Sequence, residues 1–198
     1  MGKQKEVRSI GKEIRAVGGD DGKKVSGLGV VYDEWTELWP GYMERINAGA
    51  VELDEVVHSY INHNPEKILG RTDNGTLELN NSDQGLEYNA AVPDTSYGRD
   101  LLVNLESRNI QGSSFTFTVP DGGDRVWQDK DGKIYREIDN LTLYEVGPVT
   151  NPAFRQTSAE LRSKDLIDNK LQQAAPEPQG TPELNRRKRL QQLADAML

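Results

Sequence analysis

Two histidines, His58 and His63, are the side chains best suited to proton transfer near neutral pH. Five positions apart, they share neither a helical face nor a strand face, and no cysteine assists them, so they make a poor metal pair. An extended run from Val56 to Asn62 puts His63 on the side of Val57 and Ile61. There it stands at the strand mouth, where Asn64-Pro65 is expected to turn the chain. That place suits a cleft; a satisfied structural histidine is the plainer alternative. The run Gly112 to Val119 divides by alternation into Phe115, Phe117 and Val119 on one face and Ser114, Thr116 and Thr118 on the other. The phenylalanine face supplies core, Ser114 points away from it, and Gly112 permits close approach of another backbone. A strand with a polar outer face reads the same way. It is not the nucleophile elbow of α/β-hydrolases, because Thr116 stands where the second glycine belongs and no helix follows. Glu145 interrupts the apolar run 141–146; such a carboxylate pairs or faces a cavity unless it sits on a solvated edge. Singly, none of these residues defines a reaction.

The elements that must position them are mostly strands. Segments 26–32, 56–61, 77–79, 86–92, 114–119, 133–138 and 141–146 alternate or carry β-branched and aromatic residues. Asp73-Asn74-Gly75, Asp83-Gln84-Gly85, Asp121-Gly122-Gly123-Asp124 and Asp131-Gly132 mark turns between them. Residues 100–108 form the clearest internal helix, with Leu101, Leu102 and Leu105 on one side, and 44–50 reads as a short one. Residues 1–24 are a charged segment whose Val7, Ile10, Ile14 and Val17 suit an edge strand or a short helix. The core domain is expected over 25–160, and 161–198 forms a helical tail. In that tail, residues 158–173 read as a polar helix. A proline-rich linker follows at 174–182, and a last helix is opened by Thr181-Pro182.

Composition narrows the classes. The 198 residues suit one ordinary domain with ends. Without cysteine there is no disulfide framework, thiolate metal site or cysteine nucleophile, which fits a reducing compartment. Twenty-four basic against 32 acidic side chains give −8. Both ends are basic: seven against four in residues 1–24, and four against two in 183–198. The strongly acidic middle argues against nucleic-acid binding. No apolar run approaches a membrane span, and the first residues lack a signal-peptide core, so a soluble intracellular protein is expected. Trp35, Trp39 and Trp127 form no obvious stacking set, which disfavours a carbohydrate- or peptide-binding β module.

Read in order, the blocks resemble a known family. Asn62-His63, the trailing Ile68-Leu69-Gly70-Arg71, Asp83-Gln84-Gly85-Leu86, Gly112-Ser113-Ser114-Phe115-Thr116-Phe117, and Leu143-Tyr144-Glu145-Val146 with Pro152-Ala153 are similar to those of the tailed-phage prohead proteases. The likeness spans about residues 25–157. Asn64 replaces the usual Asp, Thr116 a common Gly, and Gly147 the Ser that follows Glu-Val.

The resemblance implies a serine endopeptidase that matures phage capsids, on the closed β-barrel of the herpesvirus assembly proteases with helices around it. Carried over residue by residue, it makes Ser114 the nucleophile, His63 the general base and Glu145 the orienting acid. Ser113 is the competing hydroxyl, disfavoured because it shares the phenylalanine side. His58 is the first substitute for Glu145, and the 147–153 segment is the suggested oxyanion loop. The same likeness implies cleavage of the scaffold region of the major capsid protein and of the enzyme itself, inside the procapsid in the host cytoplasm. A homodimer or higher homo-oligomer, no cofactor and no metal are expected. The alternative is a non-enzymatic assembly or scaffolding factor whose basic last helix docks on a partner.

Overall fold

The computed structural model describes residues 4–12, 14–19 and 22–151, together with Ile167 and Leu171. The helices expected at 158–173 and 183–198 and the linker at 174–182 otherwise lie outside the described residues. Thirteen strands and the helix α1 are found among those described. They are β1 Glu6–Ile10, β2 Ile14–Gly19, β3 Gly22–Val31, β4 Thr36–Trp39, β5 Tyr42–Ile46, β6 Val51–Ile61, β7 Asn64–Arg71, β8 Leu77–Asn81, β9 Gly85–Ala91, α1 Ser96–Glu106, β10 Gly112–Thr118, β11 Asp124–Gln128, β12 Ile134–Ile138 and β13 Leu141–Val149.

Alternation accounts for most strands. Leu86, Tyr88 and Ala90 of β9, and Val57 and Ile61 of β6, are buried, while Glu87, Asn89, His58 and Tyr60 between them are less so. Helix α1 starts where Thr95 Oγ1 accepts from Gly98 N at 3.1 Å, and it buries Leu101 and Leu105 one turn apart. These groups join Val25, Val30, Phe115, Phe117, Leu141, Leu143 and Val146 in one apolar core. Leu38, Tyr42, Val126 and the helical Ile167 form a second cluster, with Leu171 against it.

The strands lie in three sheets, β1-β10-β13-β6-β7, β11-β12-β5-β4 and β2-β3-β9-β8. Among the described residues no sheet closes on itself, so the expected closed barrel is not found there; α1 is the one α-helix that the described residues complete. The reason lies at the crossing of two strand pairs. β5 with β12 and β6 with β13 are both parallel, and both pairs pass from one sheet into the next. Four residues separate β5 from β6, whereas two separate β12 from β13. The unequal links break the ladder, leaving Asn47 N on Ile138 O at 3.0 Å and Leu141 N on Ala50 O at 2.8 Å. A second correction concerns 44–50, expected as a helix. Residues 42–46 are strand β5, which buries Tyr42, Glu44 and Ile46 on one side.

The first 24 residues supply β1, at the edge of the five-stranded sheet, β2, and the start of β3. β1 is fastened by charge. Arg8 Nε and Nη2 reach Glu44 at 2.6 and 2.8 Å. Arg136 Nη1 and Nη2 reach Glu6 at 2.7 and 2.9 Å, and its Nε reaches Asp124 at 2.7 Å. Arg136 is fully buried and Glu6 is 2% exposed. Burial alone would raise the Glu6 pKa, but Arg136 and then Arg8 outweigh it and hold the carboxyl at about 2. Both guanidiniums are held charged: burial opposes this, but Glu44 and Glu6 beside Arg8, and Glu6 beside Arg136, prevail.

Candidate functional site

His63 sits in the turn itself, not before it. β6 and β7 are joined by the two residues Asn62 and His63, both at positive φ (53° and 57°), as a type I′ hairpin turn requires. The expected turn at Asn64-Pro65 is instead the start of β7. Asn suits the first place; histidine at the second, where glycine is usual, holds a strained backbone of the kind found at functional sites. Asn62 N donates to Pro148 O at 2.9 Å, and Asn62 Oδ1 accepts from Thr150 N and Oγ1 at 2.9 and 3.2 Å. The hairpin tip is therefore tied to the end of β13.

Ser114 lies on β10 with Thr116 and Thr118, opposite the core-facing Phe115 and Phe117. Glu145 comes from β13. A register shift there leaves both Tyr144 and Glu145 off the core face, between buried Leu143 and Val146. It places Glu145 across from Thr116. The three side chains meet in a chain of hydrogen bonds. His63 Nε2 is 2.7 Å from Ser114 Oγ, and His63 Nδ1 is 2.8 Å from Glu145 Oε1. Thr116 Oγ1 donates to Glu145 Oε2 at 3.0 Å, so each carboxylate oxygen has a partner. The His63 ring is 30% exposed and the Glu145 side chain 13%, so one side of the pair remains open to solvent. Burial, and then the Glu145 charge, push the nearby Tyr60 hydroxyl above the ordinary tyrosine range.

The other candidates lie elsewhere. Ser113 faces the opposite way and bonds Tyr88 OH at 3.0 Å. His58 stacks on Tyr60, with ring centroids 5.5 Å apart, and it is His63 that carries the bonds to Ser114 and Glu145. The suggested oxyanion loop is not a loop at its start: residues 147–149 are strand paired with β10, and Thr150 N is spent on Asn62. The three tryptophans form no common stack, though each packs on an aromatic neighbour. Trp35 meets Trp127 edge-on at 6.0 Å, Trp127 stacks on Tyr135 at 5.5 Å, and Trp39 stacks on Tyr42 at 3.9 Å.

Sequence reasoning missed the groups above Ser114. Ser9 Oγ donates to Ser114 Oγ at 3.1 Å, and Ser114 Oγ donates to the Arg8 carbonyl at 2.8 Å. Nothing in a charged terminal segment more than 100 positions away signals that contact. Thr116 was seen as a departure from a motif, not as a donor. The turn was only half legible, because Asn62 suits the first place of a type I′ turn but His63 stands where the signal has glycine.

Gly147 pairs with Ser114 across the ladder and backs onto β6, where a Cβ would collide with the Tyr60 carbonyl. Gly147→Ala is therefore expected to destabilise by about 1–3 kcal/mol, read as a lowered urea midpoint. Because Tyr60 leads into the hairpin, turnover should fall as well; an unchanged midpoint would mean that β6 moves aside freely.

Residues 11–172 match the family described as caudovirus prohead serine protease. No curated protein and no solved structure matches the chain.

Proposed function

The chain belongs to the caudovirus prohead serine protease family, and on that premise we propose that it is a Ser-His-Glu endopeptidase of procapsid maturation. The observation that carries the reading is the unbroken line Ser114 Oγ–His63 Nε2–His63 Nδ1–Glu145 Oε1, at 2.7 and 2.8 Å. Ser114 is the nucleophile. With the Nδ1 proton directed at Glu145, the Nε2 lone pair faces the Ser114 hydroxyl and takes its proton as Oγ attacks a peptide carbonyl. The imidazolium then protonates the departing amine, leaving an acyl ester on Ser114. A water, deprotonated by the same nitrogen, hydrolyses that ester and returns the serine. Glu145 holds the tautomer and stabilises the imidazolium, while Thr116 orients Glu145.

The substrates we assign are the scaffold region of the major capsid protein and the enzyme itself, cut inside the procapsid in the host cytoplasm. A homo-oligomer is the working form, and the mechanism assigns no step to a cofactor. The test is coexpression with the capsid protein, followed by intact-mass measurement. Wild type and Ser113→Ala should trim the scaffold region and themselves, whereas Ser114→Ala should leave both intact. Trimming by Ser114→Ala would overturn the assignment and return the scaffolding-factor reading.

A further inference from the structure

Ser114 cannot be reached as the chain stands. Its relative exposure is 0%, because β1 lies antiparallel along β10, Ser9 opposite Ser114 and Arg8 opposite Phe115. An extended segment added to the edge of the nucleophile-bearing strand, with a main-chain carbonyl at the serine, is how a peptide is read by strand addition. We propose that β1 is a built-in stand-in for substrate: a cleaved peptide takes its place on β10, with a basic side chain at the position of Arg8 and an acidic one at the position of Glu6. The proposal rests on the serine-protease reading and names what that site recognises.

Two observations support it. The first is the proton count at Ser114. Its one hydroxyl hydrogen is directed either at His63 Nε2 or at the Arg8 carbonyl, 2.7 and 2.8 Å away. Each β1-bound molecule in which Arg8 holds that hydrogen has no activated serine, so the contact is inhibitory. The second is what the fixed part of the protein offers to the strand. Glu44 takes the Arg8 guanidinium through both carboxylate oxygens and accepts from Tyr42 OH at 3.1 Å. Arg136 takes the Glu6 carboxylate in a two-bond fork. Removing β1 alone would leave Glu44 and Arg136 with each other, at 3.1 Å, and Arg136 with Asp124. It would take from Glu44 the two-oxygen contact with Arg8 and from Arg136 the fork to Glu6, which is unfavourable for buried charges. A strand that brings a cation to Glu44 and an anion to Arg136 replaces those partners, and one without them does not. Specificity thus follows from the charges that β1 leaves behind. A cavity of about 410 Å³ beside Arg8, Ser9, Ile10, Glu44 and Phe115 gives an incoming chain a place to start.

The chain has no cysteine, so in full-length Ser114→Cys the only thiol reports access to the site without any need for catalysis. Alkylation by iodoacetamide, followed by intact mass, should be at least 100-fold slower than in the urea-unfolded chain. In Ser114→Cys carrying Ser9→Pro and Ile10→Pro it should be at least tenfold faster than in Ser114→Cys alone. Successive residues of an antiparallel strand alternate in direction, so one of these two prolines removes a donor to β10. Circular dichroism checks that the proline variant stays folded, and Ser9→Pro alone serves if it does not. Equal rates with and without proline would overturn the placement of β1. On the wild-type chain, digestion of a proteome-derived peptide library should give cuts after Lys or Arg, enriched for Asp or Glu two residues earlier; cuts without that preference would overturn the recognition. Should the alkylation behave as stated while no peptide is cut by the wild-type chain or by the chain carrying Ser9→Pro and Ile10→Pro with Ser114 intact, the occluding strand stands and the protease reading falls.

Discussion

Replacing His63 by alanine is expected to lower kcat/KM on a capsid-protein peptide by about 10⁴- to 10⁶-fold, and adding Ser114→Ala is expected to change little more. The reason is the single line of hydrogen bonds. Ser114 is activated only by a lone pair at His63 Nε2, 2.7 Å away, so either loss removes the same step. Independent contributions would multiply instead, and a double variant far slower than both singles would show that Ser114 and His63 do not act as a unit. Glu145→Gln separates orientation from charge. A glutamine amide turned to donate toward Nδ1 favours the tautomer with hydrogen on Nε2, which cannot accept the serine proton. The expected loss is about 10⁴-fold with KM nearly unchanged. A rate within tenfold of wild type would remove Glu145 from the site and send the search to its neighbours on β6. Stopped assays with quantified peptide products are sufficient, since the expected effects are far larger than any folding loss, which circular dichroism would reveal.

The site residues were legible because their local patterns survive in the fold. Alternation in β10 separates Ser114 from Phe115 and Phe117 whatever that strand pairs with, and Ser113 faces Tyr88 for the same reason. Helix α1 was legible from Leu101 and Leu105, although it starts earlier, at Ser96, where Thr95 caps it. What escaped were features set by partners distant in sequence. Residues 44–50 read as a short helix from sequence, whereas Glu44 lies in strand β5 and is buried because Arg8 and Arg136 reach it from β1 and β12. The displacement that turns Glu145 to the non-core face depends on register against both β6 and β10, which no window of β13 contains. Sheet closure likewise depends on the unequal links between β5 and β6 and between β12 and β13. β1 was half legible, since residues 1–24 suit an edge strand and β1 is the edge of the five-stranded sheet. What it covers was not legible: only the pairing Ser9 to Ser114 shows it to be the cover of the site.

The buried charges beneath that cover carry the second large effect. Arg136→Met is expected to destabilise the protein by about 3–5 kcal/mol at pH 7, read as a drop in the urea midpoint at unchanged slope. The substitution leaves Glu6 and Glu44 buried with Arg8 as their remaining counter-charge of this network, and it removes four hydrogen bonds, two to Glu6 and one each to Glu44 and Asp124. Arg136→Lys should recover little, because one ammonium cannot supply the planar fork that meets Glu6 through two nitrogens while a third meets Asp124. Acid gives the signature that separates electrostatics from lost packing. Glu6 is held at about 2, below its ordinary 4.5. Its folded pKa is thus depressed, and its contribution, about 3 kcal/mol, is complete above pH 4.5 and is lost as pH falls toward 2. In Arg136→Met the main attraction lowering Glu6 is gone, so its pKa rises and less stability remains to be lost. The gap between variant and wild type should therefore be widest near pH 6–7 and should narrow steadily between about pH 4.5 and 2. A gap of the same size at pH 7 and pH 2.5 would instead assign the loss to the volume and shape of the arginine, and β1 would then be held by packing more than by charge.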